Sequence, residues 1–350
     1  MHDNRKCPSC GSYLLFNSQN FCHFCGRTLN ASLEQIPQPD RSSDDTQGPN
    51  SIFLANAHLG LTSWWRWILG CILIYSIWMG IGAIPSIAAC HYLIMNQIPQ
   101  FTCENGQILG DSSIPGYIAS NYPFIIGIIG VWLTVKLLHR RSLTSIITGR
   151  RSFDYNRVLY AIWVGLALQF ILLVFDSIFF RTELIFRAPE FWEYFTFFMF
   201  AIVLTPYQAA MEEVFFRGYL TQGLSLIANN KIFLITVPSV LFSAGHLSNP
   251  EATGLGLSPY MSWLFIFAVF SSLLTLRDGG IELAVGYHSL NNLWVGLVTN
   301  SEVSSLTTPS LFIMPLTRLT YFPDLAVQVI TYLIVLFIFR RKYRWQREGR

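Results

Sequence analysis

Eight stretches without a single Asp, Glu, Lys or Arg constrain this chain more than any other feature. They run Trp67–Ile94, Gly116–Val135, Val158–Phe175, Tyr194–Met211, Ile232–Pro250, Ser258–Leu276, Leu283–Ser301 and Leu325–Phe339. A helix needs about 20 mainly apolar residues to cross the hydrocarbon core, and most of these segments supply them. The last is short, and Tyr321 and Phe322 extend it. The fourth is expected to run on past Met211 towards Ile227. Charged residues make up only 12% of the 350 residues, against about 25% in a soluble domain. The expected fold class is therefore an all-α polytopic membrane protein with about eight transmembrane helices, preceded by a small N-terminal module.

Basic loops set the expected orientation. The segment 136–157 carries Lys136, Arg140, Arg141, Arg150, Arg151 and Arg157 against Asp154 alone, and the C-terminal tail is similarly basic. The loop 95–115 holds Glu104 and Asp111 and no basic residue. With basic segments in the cytoplasm, both termini lie inside and the span count is even. A multi-pass protein of the plasma membrane is expected, with the bilayer as its first partner. The net charge of +3 gives no argument for a nucleic-acid partner.

The first 27 residues form a separate unit. Cys7 and Cys10 make one C-x-x-C pair and Cys22 and Cys25 another, each followed by Gly, with 11 residues between the pairs. Four thiolates arranged this way suit a closed tetrahedral structural zinc site, a zinc-ribbon. Disulfides are the competing reading, and they are rare in a reducing cytoplasm. Such a closed site carries no catalysis; it folds the module or binds a protein partner. Residues 28–60, rich in Pro, Ser, Asp and Gln, read as a flexible linker, and the helical bundle occupies 61–350. Cys90 and Cys103 are able to meet on the outer side, with free thiols as the default reading.

Polar groups inside membrane helices are costly and often mark function. Three clusters stand out. Glu212-Glu213-Val-Phe-Phe-Arg217 closes the fourth apolar stretch, and Glu213 and Arg217 share a helical face four residues apart. Phe242 and His246 are likewise four apart, separated by small residues. His288 and Asn292 repeat that spacing, with Asn291 expected to point elsewhere. Each cluster alone has a plain reading as a helix end, a satisfied histidine or interhelical packing glue. Their coincidence in one bundle is harder to explain as packing. No G-x-S-x-G elbow and no H-E-x-x-H zincin motif occurs.

In order, these clusters resemble the signature of the CAAX protease and bacteriocin-processing (CPBP, or Abi) family of intramembrane proteases: E-E-x-x-x-R, then F-x-x-x-H, then H-x-x-x-N. The likeness covers about residues 190–300 and implies hydrolysis of peptide bonds in membrane-associated or lipidated substrates. Carried over, Glu212 activates a water with help from His246. His288 and Asn292 donate hydrogen bonds to the oxyanion, and Glu213 and Arg217 support the geometry. A second route would use the same carboxylate and histidines to hold a catalytic divalent metal, and the residue types alone do not separate the two. The competing functional readings are a non-enzymatic scaffold or bacteriocin-immunity factor, and a proton-coupled transporter. One tension remains at this level. His246 lies about 15 residues into its span and His288 about 6 into a parallel one, a depth difference of roughly 13 Å.

Overall fold

The computed structural model describes residues 49–104, 107–110, 113–175, 177–178, 184–305, 308–315 and 321–345. The four N-terminal cysteines, and with them the expected zinc-ribbon, lie outside the described residues. So does the linker up to residue 48.

Each of the eight apolar stretches forms a helix. We label the short helix Pro49–Ala55 α1, followed by α2 (Trp64–Met95), α3 (Ile114–Leu138), α4 (Tyr155–Phe175) and α5 (Phe191–Ser225). Then come α6 (Lys231–Ala244), α7 (Leu257–Asp278), α8 (Glu282–Leu297) and α9 (Tyr321–Tyr343). Six of these, α2 to α5, α7 and α9, are long and apolar enough to cross a membrane. Helices α6 and α8 are shorter, with 14 and 16 residues. At 1.5 Å per residue they reach about 21 and 24 Å, less than the hydrocarbon thickness.

Of the two short helices, α8 belongs to the interior, whereas α6 keeps an outer face with exposed Ile232, Val240 and Leu241. Residues 281–290 of α8 and the turn before it are buried without a break, which is the pattern of a helix surrounded by others. Helix α8 packs chiefly on α4 and α5, α6 on α7, and α3 on α5. The contact of α4 with α8 is close because of two glycines. A Cβ on Gly286 would stand 2.3 Å from the Val158 carbonyl oxygen, and one on Gly165 would stand 2.4 Å from Leu290. The outer face of α4 carries exposed Trp163 and Phe170, as a lipid-facing helix requires. The protein is an integral, all-α polytopic membrane protein.

Two small sheets, not anticipated from the sequence, complete the fold. Strands β1 (Phe101–Glu104) and β2 (Gln107–Gly110) form an antiparallel hairpin. Strand β5 (Phe312–Met314) lies between β3 (Ile185–Phe186), to which it is antiparallel, and β4 (Thr299–Ser301), to which it is parallel. Strands this short, inside segments dominated by longer apolar runs, leave no legible two-residue alternation. The hairpin is joined to α2 by a disulfide between Cys90 and Cys103. This overturns the default of free thiols: Cys90 sits near the end of α2, and the hairpin folds back to bring Cys103 against it.

The expected linker is also shorter than its composition suggested. Residues 49–58 are helical, and Phe53 and Ala57 are fully buried. The apolar run Ile52–Ala55 supplies a face to bury, and Asn56 fixes it. Its Nδ2 donates to the carbonyls of Ser145 and Thr148, both at 3.2 Å. Arg141 in turn donates to the Asn56 carbonyl and to Gln222 Oε1, at 2.8 Å for the latter. Nearby His139 is held between the Leu61 carbonyl at 2.9 Å and the Tyr219 hydroxyl at 2.7 Å. Burial pushes the His139 imidazole down to about 4, so it is neutral. One nitrogen donates to the Leu61 carbonyl and the other accepts from Tyr219.

This end of the bundle also receives the far end of the chain. Trp345 Nε1 donates to Asp278 Oδ1 at 3.0 Å, and the Arg157 guanidinium stacks 3.8 Å from the Tyr343 ring centroid. Residues 49 and 345 therefore lie at the same end as the basic segment 136–157, as an even number of membrane crossings requires.

Candidate active site

Helix α5 is α-helical over Phe191–Glu213, opens into a π-helical stretch over Val214–Leu220, and resumes as α-helix over Thr221–Ser225. Such π insertions are frequent at functional sites because they re-aim side chains within a continuous helix. Here the wider turn begins directly after Glu212 and Glu213 and contains Arg217. Gly218 lets it lie against Ile146, whose methyl group would be 2.9 Å from an added Cβ.

Four charged or ionisable groups meet at this point. His288, on α8, stands between the two carboxylates: its Nδ1 is 2.8 Å from Glu213 Oε1 and its Nε2 is 3.4 Å from Glu212 Oε2. Arg217 Nη1 approaches the same Glu213 oxygen at 3.3 Å, and Nη2 donates to the Ala268 carbonyl at 3.3 Å. The guanidinium also lies over the Phe242 ring, 4.5 Å from its centroid. Glu213 and Arg217 are fully buried, and Glu212 and His288 nearly so. A buried guanidinium and carboxylate persist only in close company, since either one alone would be strongly destabilising. Glu213 is thus held by Arg217, and it fixes His288 with a bond to Nδ1. The other nitrogen is left facing Glu212.

Glu212, His246, His288 and Asn292 all line one cavity of about 350 Å³, whereas Glu213 and Arg217 sit behind its wall. His246 lies just past the end of α6, its Nδ1 2.8 Å from the Phe242 carbonyl. That bond makes Nδ1 the donor and leaves Nε2 as the second functional nitrogen. The Phe242 ring packs against both histidines, 4.7 Å from His246 and 6.1 Å from His288 by centroids. The depth mismatch read from the sequence disappears for a simple reason. Both α6 and α8 are shorter than the hydrocarbon thickness, so their ends need not be level.

Two features depart from expectation. Both ring nitrogens of His288 face carboxylates, whereas the resemblance implies a donor aimed at an oxyanion. Asn291, expected to point away, lines the cavity as well and accepts from Gln169 Nε2 at 3.5 Å. The lining further includes residues that no motif singled out, among them Tyr117, Thr205, Asn249, Glu251 and Tyr260. The Tyr117 and Thr205 hydroxyls bond one another. A tyrosine or threonine in an apolar stretch is common enough that only the fold marks these out.

The donor set also bears on a metal. Among the described residues, no group of three or more His, Cys, Asp or Glu side chains is placed to hold a metal ion. Glu213, shared with Arg217, holds His288 Nδ1, which leaves Nε2 beside Glu212 on the cavity side. A carboxylate oxygen and an imidazole nitrogen placed so are donor types that would also suit a divalent metal.

A helical membrane protein with a carboxylate–imidazole–carboxylate centre opening into a polar cavity is the class that fold and site define. Comparison with known families narrows it. Residues 191–294 match the family described as type II CAAX prenyl endopeptidase Rce1-like. The match spans α5 to α8, and at the level of that family it supports an intramembrane peptidase. It is also similar to the uncharacterized protein YyaK of Bacillus subtilis (strain 168), at 24% identity over 261 residues, 72% of this chain and 84% of that protein. No solved structure matches.

Proposed function

We propose that this protein is an intramembrane endopeptidase that hydrolyses membrane-associated peptides with a water activated by Glu212. The observation that carries the reading is the chain Arg217–Glu213–His288–Glu212, which holds one carboxylate at the cavity wall in a fixed orientation. In this reading Glu212 takes a proton from a water whose oxygen attacks the scissile carbonyl carbon. The carbonyl π electrons move onto its oxygen, and the Asn292 amide donates a hydrogen bond to the oxyanion. Collapse re-forms the carbonyl and breaks the C–N bond, and the proton passes from Glu212 to the leaving nitrogen. His246, its Nδ1–H tied to the Phe242 carbonyl, accepts from the attacking water through Nε2. His288 is a positioning residue for Glu212, and Glu213 and Arg217 hold His288. A positioned base contributes about 10²–10⁴-fold, and a water-excluding site strengthens each hydrogen bond to the developing charge.

The test is cleavage of a broad peptide library, lipidated peptides included, by the full-length protein in liposomes. We expect defined products from the wild type. A protein that folds, reconstitutes and cleaves nothing would leave a scaffold or immunity factor as the better description.

Topology and the N-terminal module belong to the same proposal. Disulfides form and persist in oxidising compartments, so Cys90–Cys103 supports an outer location for the hairpin. The basic segment 136–157 and both ends of the chain then lie in the cytoplasm, in the plasma membrane. A membrane-impermeant reductant added to intact cells should expose both thiols to maleimide labelling. Labelling that requires permeabilised cells would reverse the orientation. For residues 1–27 we propose a zinc-ribbon on Cys7, Cys10, Cys22 and Cys25, available to a protein partner. Purified protein should carry one zinc per chain, and Cys7→Ser should lose it. Unchanged zinc in that variant would remove the assignment.

A further inference from the structure

The cavity contains a second carboxylate that the proposed hydrolysis does not use. Glu251, on the short helix Pro250–Gly254, lines it together with Glu212 and His246. Glu251 Oε1 accepts from the Ser305 backbone N–H at 2.7 Å and from its hydroxyl at 2.9 Å. The other oxygen, Oε2, is buried and has no hydrogen-bond partner among the described residues. Leaving a buried carboxylate oxygen unmatched is expensive, and the cost is removed when a donor arrives. The adjacent amide is committed elsewhere, with Asn249 Nδ2 donating to the Tyr260 hydroxyl at 2.9 Å. Tyr260 lines the same cavity as Glu251 and Glu212. Two carboxylates thus face one space, and its described lining includes no Lys or Arg. The guanidinium nearest Glu212, that of Arg217, is behind the wall and committed to Glu213.

We propose that Glu251 is a recognition residue that takes a cationic group of the peptide, a Lys or Arg side chain or a free N-terminal ammonium, while the scissile bond lies at Glu212. This rests on the peptidase reading and adds a substrate class to it. A cation fills the donor that Oε2 lacks and lowers the negative potential of the cavity. A substrate that must place its own C-terminal carboxylate in this space meets two carboxylates and, among the described lining residues, no Lys or Arg.

The experiment uses full-length protein in liposomes and a cleaved peptide re-made in matched forms. Lys, norleucine or Glu is placed at each position flanking the scissile bond, with the N-terminus free or acetylated. We expect wild type to favour the cationic form over its neutral match by about tenfold in kcat/KM, equivalent to about 1.4 kcal/mol. Glu251→Gln should bring that ratio close to one, and Glu251→Lys should turn it towards the Glu peptides. Loss of the preference on acetylation assigns the N-terminal ammonium, and loss on Lys-to-norleucine exchange assigns the side chain. Ser305→Ala loosens the same loop contact without removing the charge and should keep the ratio, which separates recognition from a folding defect. A wild-type enzyme indifferent to charge, or Glu251→Gln with an unchanged ratio, overturns the proposal. If wild type cleaves no peptide, the peptidase reading fails separately. Binding of the same labelled peptides to Glu212→Gln protein then decides the subsite. Charge-selective binding that depends on Glu251 keeps it, and its absence overturns it.

Discussion

Glu212→Gln should lower kcat by at least about 10²-fold, the lower bound for losing a positioned general base, with KM little changed. The amide keeps the size of the carboxylate, and Glu212 faces the cavity instead of the packed interior, so the variant should fold and reconstitute normally. Its neighbour behaves differently. Glu213→Gln leaves the fully buried Arg217 without its carboxylate, and breaking a buried pair from one side costs about 3–5 kcal/mol. That variant should show its defect first as poor stability. His288→Asn should lose activity through misplacement of Glu212. Because the two act as a unit, the double variant Glu212→Gln/His288→Asn should be no slower than Glu212→Gln alone. Turnover of a cleaved peptide in liposomes, with melting temperature in detergent as the folding control, measures all of this. Glu212→Gln retaining more than about a tenth of wild-type kcat would remove Glu212 as the base, since even weak general-base contributions exceed that.

The contrast between adjacent glutamates shows what the sequence could and could not reveal. Charge-free stretches are a strong signal, and all eight appear as helices. The i, i+4 spacing of Glu213 and Arg217 predicted their pairing, and it is present at 3.3 Å. That pairing left Glu212 as the other carboxylate, and it is Glu212 that lines the cavity, whereas the π-helical turn after Glu213 was not legible. No residue pattern marks such a turn. The same limit applied to Asn291 and Asn292, which were separated by a simple helical wheel and nevertheless line the same space. Glu251 went unnoticed because it stands alone among loop residues, and its unmatched oxygen exists only after Ser305 returns from a distant part of the chain. Short strands such as β3 to β5 were illegible for the same physical reason: each is fixed by its pairing partner and not by its own residues.

The basic segment offers the second large effect. In the sequence Arg150 and Arg157 served only as topology signals, yet in the fold they close the base of the helix that carries His288. Asp278, 1% exposed, accepts from Arg150 Nη2 at 2.8 Å, from Arg157 Nη1 and from Trp345 Nε1 at 3.0 Å. Arg150 also reaches Glu282 at the first turn of α8, at 3.1 Å. Between the two acids the chain reverses through Gly279, whose φ of +72° is strained for any residue with a side chain. Burial pushes the Glu282 carboxyl up while Arg150 pulls it down, so the arginine is what makes a charged Glu282 tolerable there. Asp278→Asn keeps the shape of this corner and removes its charge, leaving Arg150 and Arg157 each with one remaining acid. We expect a loss of about 1–3 kcal/mol, the range for removing charge-assisted hydrogen bonds from a buried acceptor, since both arginines are partly exposed and keep an acid. The loss is read as a lower melting temperature in detergent. Arg157→Gln in the Asp278→Asn background should recover part of that loss, because the cation left over is then gone. An Asp278→Asn protein that melts with the wild type would mean that the turn at Gly279 and helix packing alone hold α8 in place. His288 would then owe its position to Glu213 and Arg217, and not to the anchored corner beneath it.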